Sequence, residues 1–283
     1  MTFGDQVGHS HVLRDICAWQ EISVLLVGKT AVVYGAAGSV GSAVAGAFAR
    51  EGASVVLAGR TQAALEVVAA AIRQAGATAT VSPVDARDET SINRHVDQVV
   101  GTTGRLDISF NATAVDHVQG VPLTDLSEEE VVGPVACRVA THLLTARAAS
   151  RHMVAQHSGV ILTFTADAAR LAYPNIGSFG IACAAVEALT RTLAAEYGPH
   201  GIRVVCLRSM GSPEATHMDE TWQGVFTSKS TAEKRRDDRA ALTLLGRSPS
   251  LSEVGNVAAL MASDYASPLT ANIVNVTCGE IAD

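Results

Sequence analysis

The chain has 283 residues, enough for one α/β domain of ordinary size or two small ones. It is 48% hydrophobic and 17% charged, which supports a well-formed core and excludes a disordered chain. A net charge of -7 argues against a nucleic-acid surface, and the densest basic run, Lys234-Arg235-Arg236, is followed at once by Asp237 and Asp238.

Residues 1–28 show no clear period. In "LRDICAWQEISVLL", Leu13, Ile16 and Cys17 fall at helical spacing, but Gln20 interrupts that face and Trp19 lies off it. This segment reads as an extension that packs on the domain or on a neighbouring subunit. From Lys29 the pattern is regular. "TAVVYG" predicts a strand and "SVGSAVAGAFAREG" a helix ended by Gly52. "ASVVLAG" predicts a strand and "TQAALEVVAAAIRQAG" a helix stopped at Gly76. "ATVSPVD" and "LDISFNA" are strands flanking the helix "DETSINRHVDQVVGTTG". A long helix over 127–157 precedes strand "GVILTFT", a helix over 176–198, strand "IRVVCLRS", helix "SLSEVGNVAALMAS" and strand "NIVNVTCG".

Apolar strands alternating with helices predict an α/β, Rossmann-like, doubly wound parallel sheet of about seven strands, with helices on both faces. Residues 29–283 read as a single domain. The least patterned interior stretch, 209–245, is expected to cover a substrate site. The five cysteines (Cys17, Cys137, Cys183, Cys206 and Cys278) are scattered and include no C-x-x-C, which points to a reducing compartment and no metal site. No apolar run approaches the ~18 residues of a membrane span. Asp5, Arg14 and Asp15 stand where a secretion signal has its apolar core, so the expectation is a cytoplasmic protein.

The first strand runs into "YGAAGSVG", residues 34–41, which opens a helix. Gly35, Gly38 and Gly41, with Ser39 and Val40 between the last two, form the expected phosphate-binding turn of a dinucleotide site. The second strand ends "LAGRT". Sites for NAD(H) usually place an acid there for the ribose 2′-hydroxyl; here Gly59 takes that place and Arg60 follows. A cation without a carboxylate favours a 2′-phosphate, hence NADP(H) over NAD(H).

With these features the chain resembles the short-chain dehydrogenase/reductase family, single-domain branch, over residues 24–281. Asp85-Ala86 lies where that family contacts adenine. "LDISFNATA" is similar to its L-D-x-x-x-N-N-A-G pattern, keeping Asn111 and departing at Ala112, Thr113 and Ala114. "LTRTLAAEYGPHGIRV" and "ALMASDYASPLTANIVNV" resemble its sixth-helix and C-terminal segments. Ser39 replaces the middle glycine of the branch's usual loop. The resemblance implies a small-molecule substrate, no nucleic-acid or membrane partner, and a homodimer or homotetramer through helices 127–157 and 176–198.

The resemblance also implies a catalytic Ser, Tyr, Lys and Asn, and this chain departs at all four places. Phe179 stands at the Tyr position, Cys183 at the Lys, Ala166 at the Ser and Arg138 most nearly at the Asn. No asparagine occurs between Asn111 and Asn175, and the only lysines are Lys29, Lys229 and Lys234. Losing a positioned general acid costs on the order of 10²–10⁴ in rate. A replacement set is therefore expected: Arg138 and Asp167, with His142 or Tyr173, as acid–base or oxyanion-stabilising groups. Each also has a plainer role open to it. Arg138 can pair with an acid among residues 128–130 or across a subunit interface, Asp167 can cap a turn, His142 can be a satisfied helix histidine, and Tyr173 can pack its loop. The functional expectation is an NADP(H)-binding oxidoreductase reducing an activated C=N, C=C or C=O. The alternatives are a non-redox cyclase, isomerase or dehydratase in the same cavity, or an inactive nucleotide-binding partner subunit.

Overall fold

The β-branched runs and the Ala-rich helices fall into place in alternation. A computed structural model of the chain describes residues 24–215 and 237–282. Its elements are β1 Thr30–Tyr34, α1 Ser39–Arg50, β2 Ser54–Gly59, α2 Gln62–Gln74, β3 Ala79–Pro83, α3 Glu89–Thr103 and β4 Ile108–Asn111. There follow α4 Glu128–Gln156, β5 Gly159–Ala166, α5 Phe179–Tyr197, β6 Ile202–Ser209, α6 Leu251–Ala262 and β7 Ile273–Val276. The seven strands form one sheet in the order β3-β2-β1-β4-β5-β6-β7, and every neighbouring pair is parallel. The winding direction reverses between β1 and β4, which opens a crevice at their carboxyl ends.

Both sheet faces are covered, so the strands are apolar on both sides. Phe48 of α1, Leu65 and Ile72 of α2 and Ala258 of α6 pack on one face. Ile92 and Val96 of α3, Ala149 and Met153 of α4 and Leu193 of α5 pack on the other. Helix starts follow local chemistry. Asp88 caps α3 through Thr90 and Ser91, and capping boxes join Ser127 to Glu130 on α4 and Ser250 to Glu253 on α6.

Two boundaries differ from the sequence expectation. The helix expected from 176 begins at Phe179, because Asn175 and Gly177 take positive φ of 58° and 59° and break the helical path. In the expected cover segment, residues 237–240 form a short helical stretch, whereas 216–236 lie outside the described residues. Residues 1–23 of the expected N-terminal extension also lie outside them. Leu26, just after, is fully buried, and its N–H donates to the Glu51 carbonyl at 2.7 Å.

Candidate active site and dinucleotide cleft

The loop between β1 and α1 lies tight against the end of β4. Gly35 has φ +73°, and a Cβ there would stand 2.6 Å from the Ala112 carbonyl oxygen. A Cβ on Gly41 would overlap the Gly35 carbonyl. The loop therefore brings its backbone and the first turn of α1 to the crevice with no side chain in the way. A cleft of about 250 Å³ follows, lined by Gly35, Gly38, Arg60, Asp85 and Ala86 among others.

The remaining predicted cofactor residues sit elsewhere. Ser39 opens α1, Val40 faces the adjoining cavity, and Gly41 packs behind the turn. Asn111 does not line the cleft, a correction to its expected cofactor contact. Its Nδ2 donates to the Thr141 carbonyl and to Thr145 Oγ1, both at 3.0 Å, and its Oδ1 accepts from the Thr113 N–H at 2.8 Å. Buried amides must be satisfied, and this one ties β4 to α4. Asp85 is engaged by Arg87, which sequence reasoning missed. The Arg87 N–H donates to it at 3.0 Å and Nη2 at 3.0 Å, and this pairing holds the carboxyl below its usual range.

A second cavity, of about 260 Å³, lies at the carboxyl ends of β5 and β6. Ala166, Asp167, Tyr173 and Phe179 line it, whereas Arg138, His142 and Cys183 do not. The expected Arg138–Asp167 pair is not made. Asp167 is ion-paired with Arg239 and accepts from the Tyr173 hydroxyl at 3.0 Å. Glu280 completes the cluster, 3.2 Å from the Tyr173 hydroxyl and 3.1 Å from Arg239 Nη2. Burial and Glu280 push the Tyr173 hydroxyl well above its ordinary pKa, and burial raises the Glu280 carboxyl. Asp167 also caps its own turn, accepting from the Ala168 N–H at 2.9 Å. Arg239 and Glu280 reach it from 72 and 113 positions away in sequence, counted from the residue numbers, so no local pattern marks them.

Arg138 is 8% exposed. Its Nη2 donates to the Phe164 carbonyl at 3.3 Å, its guanidinium carbon lies 5.5 Å from the Phe179 ring centroid, and its buried Nε has no partner. No described carboxylate pairs with it. Glu130 instead receives the Ser127 N–H in the capping box, so the expected pairing with residues 128–130 is absent. His142 is fully enclosed; its Nδ1 donates to the Arg138 carbonyl at 2.9 Å, and burial lowers its pKa to about 3. It is a neutral core residue that holds the α4 turn carrying Arg138. Burial likewise pushes the Cys183 thiol up, consistent with a packing role.

Behind Cys183, one turn along α5, Glu187 accepts from Arg208 Nε at 2.7 Å and Nη2 at 2.9 Å, and from Thr165 Oγ1 at 3.2 Å. This bidentate pair joins α5 to the end of β6. His117, on the loop after β4, also lines the cavity and was not singled out from the sequence, where it is a lone histidine in an unpatterned loop.

Among the described residues no helix is long and apolar enough to cross a membrane, and no group of three or more candidate metal ligands occurs. The family model described as enoyl-(acyl carrier protein) reductase matches residues 35–280. The uncharacterized oxidoreductase YxbG of Bacillus subtilis is 29% identical, over 91% of this chain and 92% of that protein. The sorbitol dehydrogenase of Cereibacter sphaeroides is 29% identical, over 90% of this chain and 98% of its own. A crystal structure of NAD+-bound xylitol dehydrogenase superposes with a TM-score of 0.82 at 25% identity, covering 90% of this chain and 99% of that one. With its sheet order and its β1–α1 turn, the chain belongs to the short-chain dehydrogenase/reductase family of oxidoreductases.

Proposed function

We propose that the protein is an NADP(H)-dependent oxidoreductase acting on an activated C=N, C=C or C=O bond of a small molecule, with a proton-handling set unlike the family's usual one. The observation that carries this reading is Arg138, a buried guanidinium that pairs with no carboxylate among the described residues and lies over Phe179. A buried charge held only by a carbonyl and a ring face, with no counter-charge, is costly in the resting protein. That cost is recovered where negative charge binds or develops beside it. Phe179 keeps an aromatic ring at the cavity wall but has no proton to give, and Cys183 supplies no cation. Arg138 stands behind that ring, outside the cavity lining, and is near enough to act electrostatically on the Cys183 thiol. An activated substrate, already polarised by charge or conjugation, suits a site built on a fixed cation.

The dinucleotide fits the residues present. The Gly35–Gly38–Gly41 turn leaves the backbone open to a pyrophosphate, and Arg60 and Arg87 line the same cleft as Gly59, where they would meet a ribose 2′-phosphate. When bound, the nicotinamide supplies or accepts the hydride. The Asp167–Tyr173–Arg239–Glu280 cluster fixes the far wall. Self-association through α4 and α5 is part of this reading, supported by Val132 and Ile181, which are 53% and 49% exposed on them.

Fluorescence titration with NADPH and NADH tests the cofactor assignment. Arg60→Ala is expected to weaken NADPH binding by about ten- to a hundredfold, the worth of a charge-assisted contact of about 1.5–3 kcal/mol, and to leave NADH binding unchanged. Equal loss for both, or tighter NADH binding in the unmodified protein, overturns it.

A further inference from the structure

A groove of about 750 Å³ lies between α1 and α2, away from both the dinucleotide cleft and the second cavity. Val67, Ala71 and Ala75 of α2 and Gly46 and Ala49 of α1 form its walls, and Gly52 closes one end. Single exposed valines are ordinary on a protein surface. Here Val67, 72% exposed, stands on the groove wall, and Val24 and Val27, 44% and 66% exposed, stand against its Gly52 end. Together they make one exposed apolar patch, the mark of a surface that takes a partner. We propose that the partner is the chain's own N-terminal segment, which seats Leu13, Ile16 and Cys17 in the groove.

The described chain sets out from this groove. The Leu25 N–H donates to Glu51 Oε2 at 3.2 Å and the Leu26 N–H to the Glu51 carbonyl at 2.7 Å, which fixes residues 25 and 26 to the turn after α1. A Cβ on Gly52, the next residue in that turn, would stand 3.2 Å from Val24 Cγ1 and 3.0 Å from Val27 Cγ2. Seven residue steps separate Cys17 from Val24, a reach of up to about 23 Å. The run of α1 along the groove, from Ser42 to Arg50, is only about 12 Å. The tether therefore spans the groove, and so short a tether gives the segment a local concentration that a second copy of the chain does not match.

The groove's chemistry suits that occupant. Arg50 is the one charged side chain among the described residues that line it, and Asn256 and Glu51 already engage it. A Cβ on Gly46 would meet nothing within 4 Å, so an apolar side chain has room to lie close against α1. Leu13, Ile16 and Cys17 fall at helical spacing before Gln20 interrupts their face, so they turn to one side together.

The test uses the full chain with iodoacetamide as probe, and labelling of Cys17 is read by peptide mass spectrometry. Cys17 is expected to react at least about tenfold more slowly in the folded protein than in urea. Ala71→Glu puts a charge on the groove wall at an exposed helical position. It is expected to abolish that protection and to lower the thermal midpoint by about 5 °C, the worth of re-exposing one or two aliphatic side chains. Ile16→Asp is expected to do the same, and the double variant to fall little further than either single one, as two residues of one contact should. Cys17 labelling at the unfolded rate in the unmodified protein overturns the proposal. Protection that survives Ala71→Glu overturns it too, because the segment then packs elsewhere. Protection that is lost on dilution while the fold persists assigns the segment to a second copy and overturns its seating in its own chain.

Discussion

Replacing Arg208 with methionine is expected to destabilise the protein by about 3–5 kcal/mol, the usual cost of removing one partner from a buried ion pair. Arg208 and Glu187 have side chains only 2% and 6% exposed and meet in a bidentate arrangement. Without the guanidinium, the Glu187 carboxylate keeps only the Thr165 hydroxyl at 3.2 Å, in a core from which water is excluded. At about 2–4 °C per kcal/mol for a domain of this size, the thermal midpoint should fall on the order of 10 °C. Arg208→Met combined with Glu187→Leu should recover part of the loss, because the Glu187 carboxylate is then no longer stranded. Thermal denaturation followed by circular dichroism measures both. A single variant within 1 °C of the parent protein, or a double variant no better than the single, would show that the pair does not carry this junction.

The second large effect is on activity. Arg138→Met removes the fixed cation while keeping a side chain that packs against Phe179. If negative charge develops on the cavity side of Phe179 during reaction, kcat should drop by about tenfold, because Arg138 stands behind that ring and acts through space, not as a direct donor. Arg138→Lys restores the charge without the planar fork and should recover part of that loss. Stability should move the other way, since a buried charge with no carboxylate partner among the described residues is replaced by an apolar chain. Steady-state kinetics and thermal melts on the same preparations separate the two. A methionine variant that is less stable and equally active would make Arg138 a packing residue.

The architecture was legible because it rests on periodicity. Strands buried on both faces read as apolar runs, and "YGAAGSVG" follows a strand and opens a helix, as its spacing requires. Where local chemistry intervened, boundaries shifted, as at Asn175 and Gly177 before α5. The second cavity was less legible. Asp167 follows β5 directly and Tyr173 lies on the loop after it, but their partners Arg239 and Glu280 arrive from distant segments that carry no periodic signal. Arg138 was placed by counting, yet its expected partner was wrong: a guanidinium's reach cannot be read from linear spacing, and Asp167 is taken by Arg239. Asn111 was placed correctly in sequence but faces α4, because its amide finds Thr141 and Thr145 there. His117 carried no sequence signal at all, since its place at the cavity depends on a ring stack with Phe179.

The most direct measurement follows absorbance at the reduced-nicotinamide band with NADPH and a panel of a cyclic enone, a cyclic imine and an activated ketone. NADPH oxidation is expected with at least one of the three, faster than with NADH and largely lost in Arg138→Met. NADPH bound but consumed with none of them, under conditions where the protein is folded, would contradict the oxidoreductase reading.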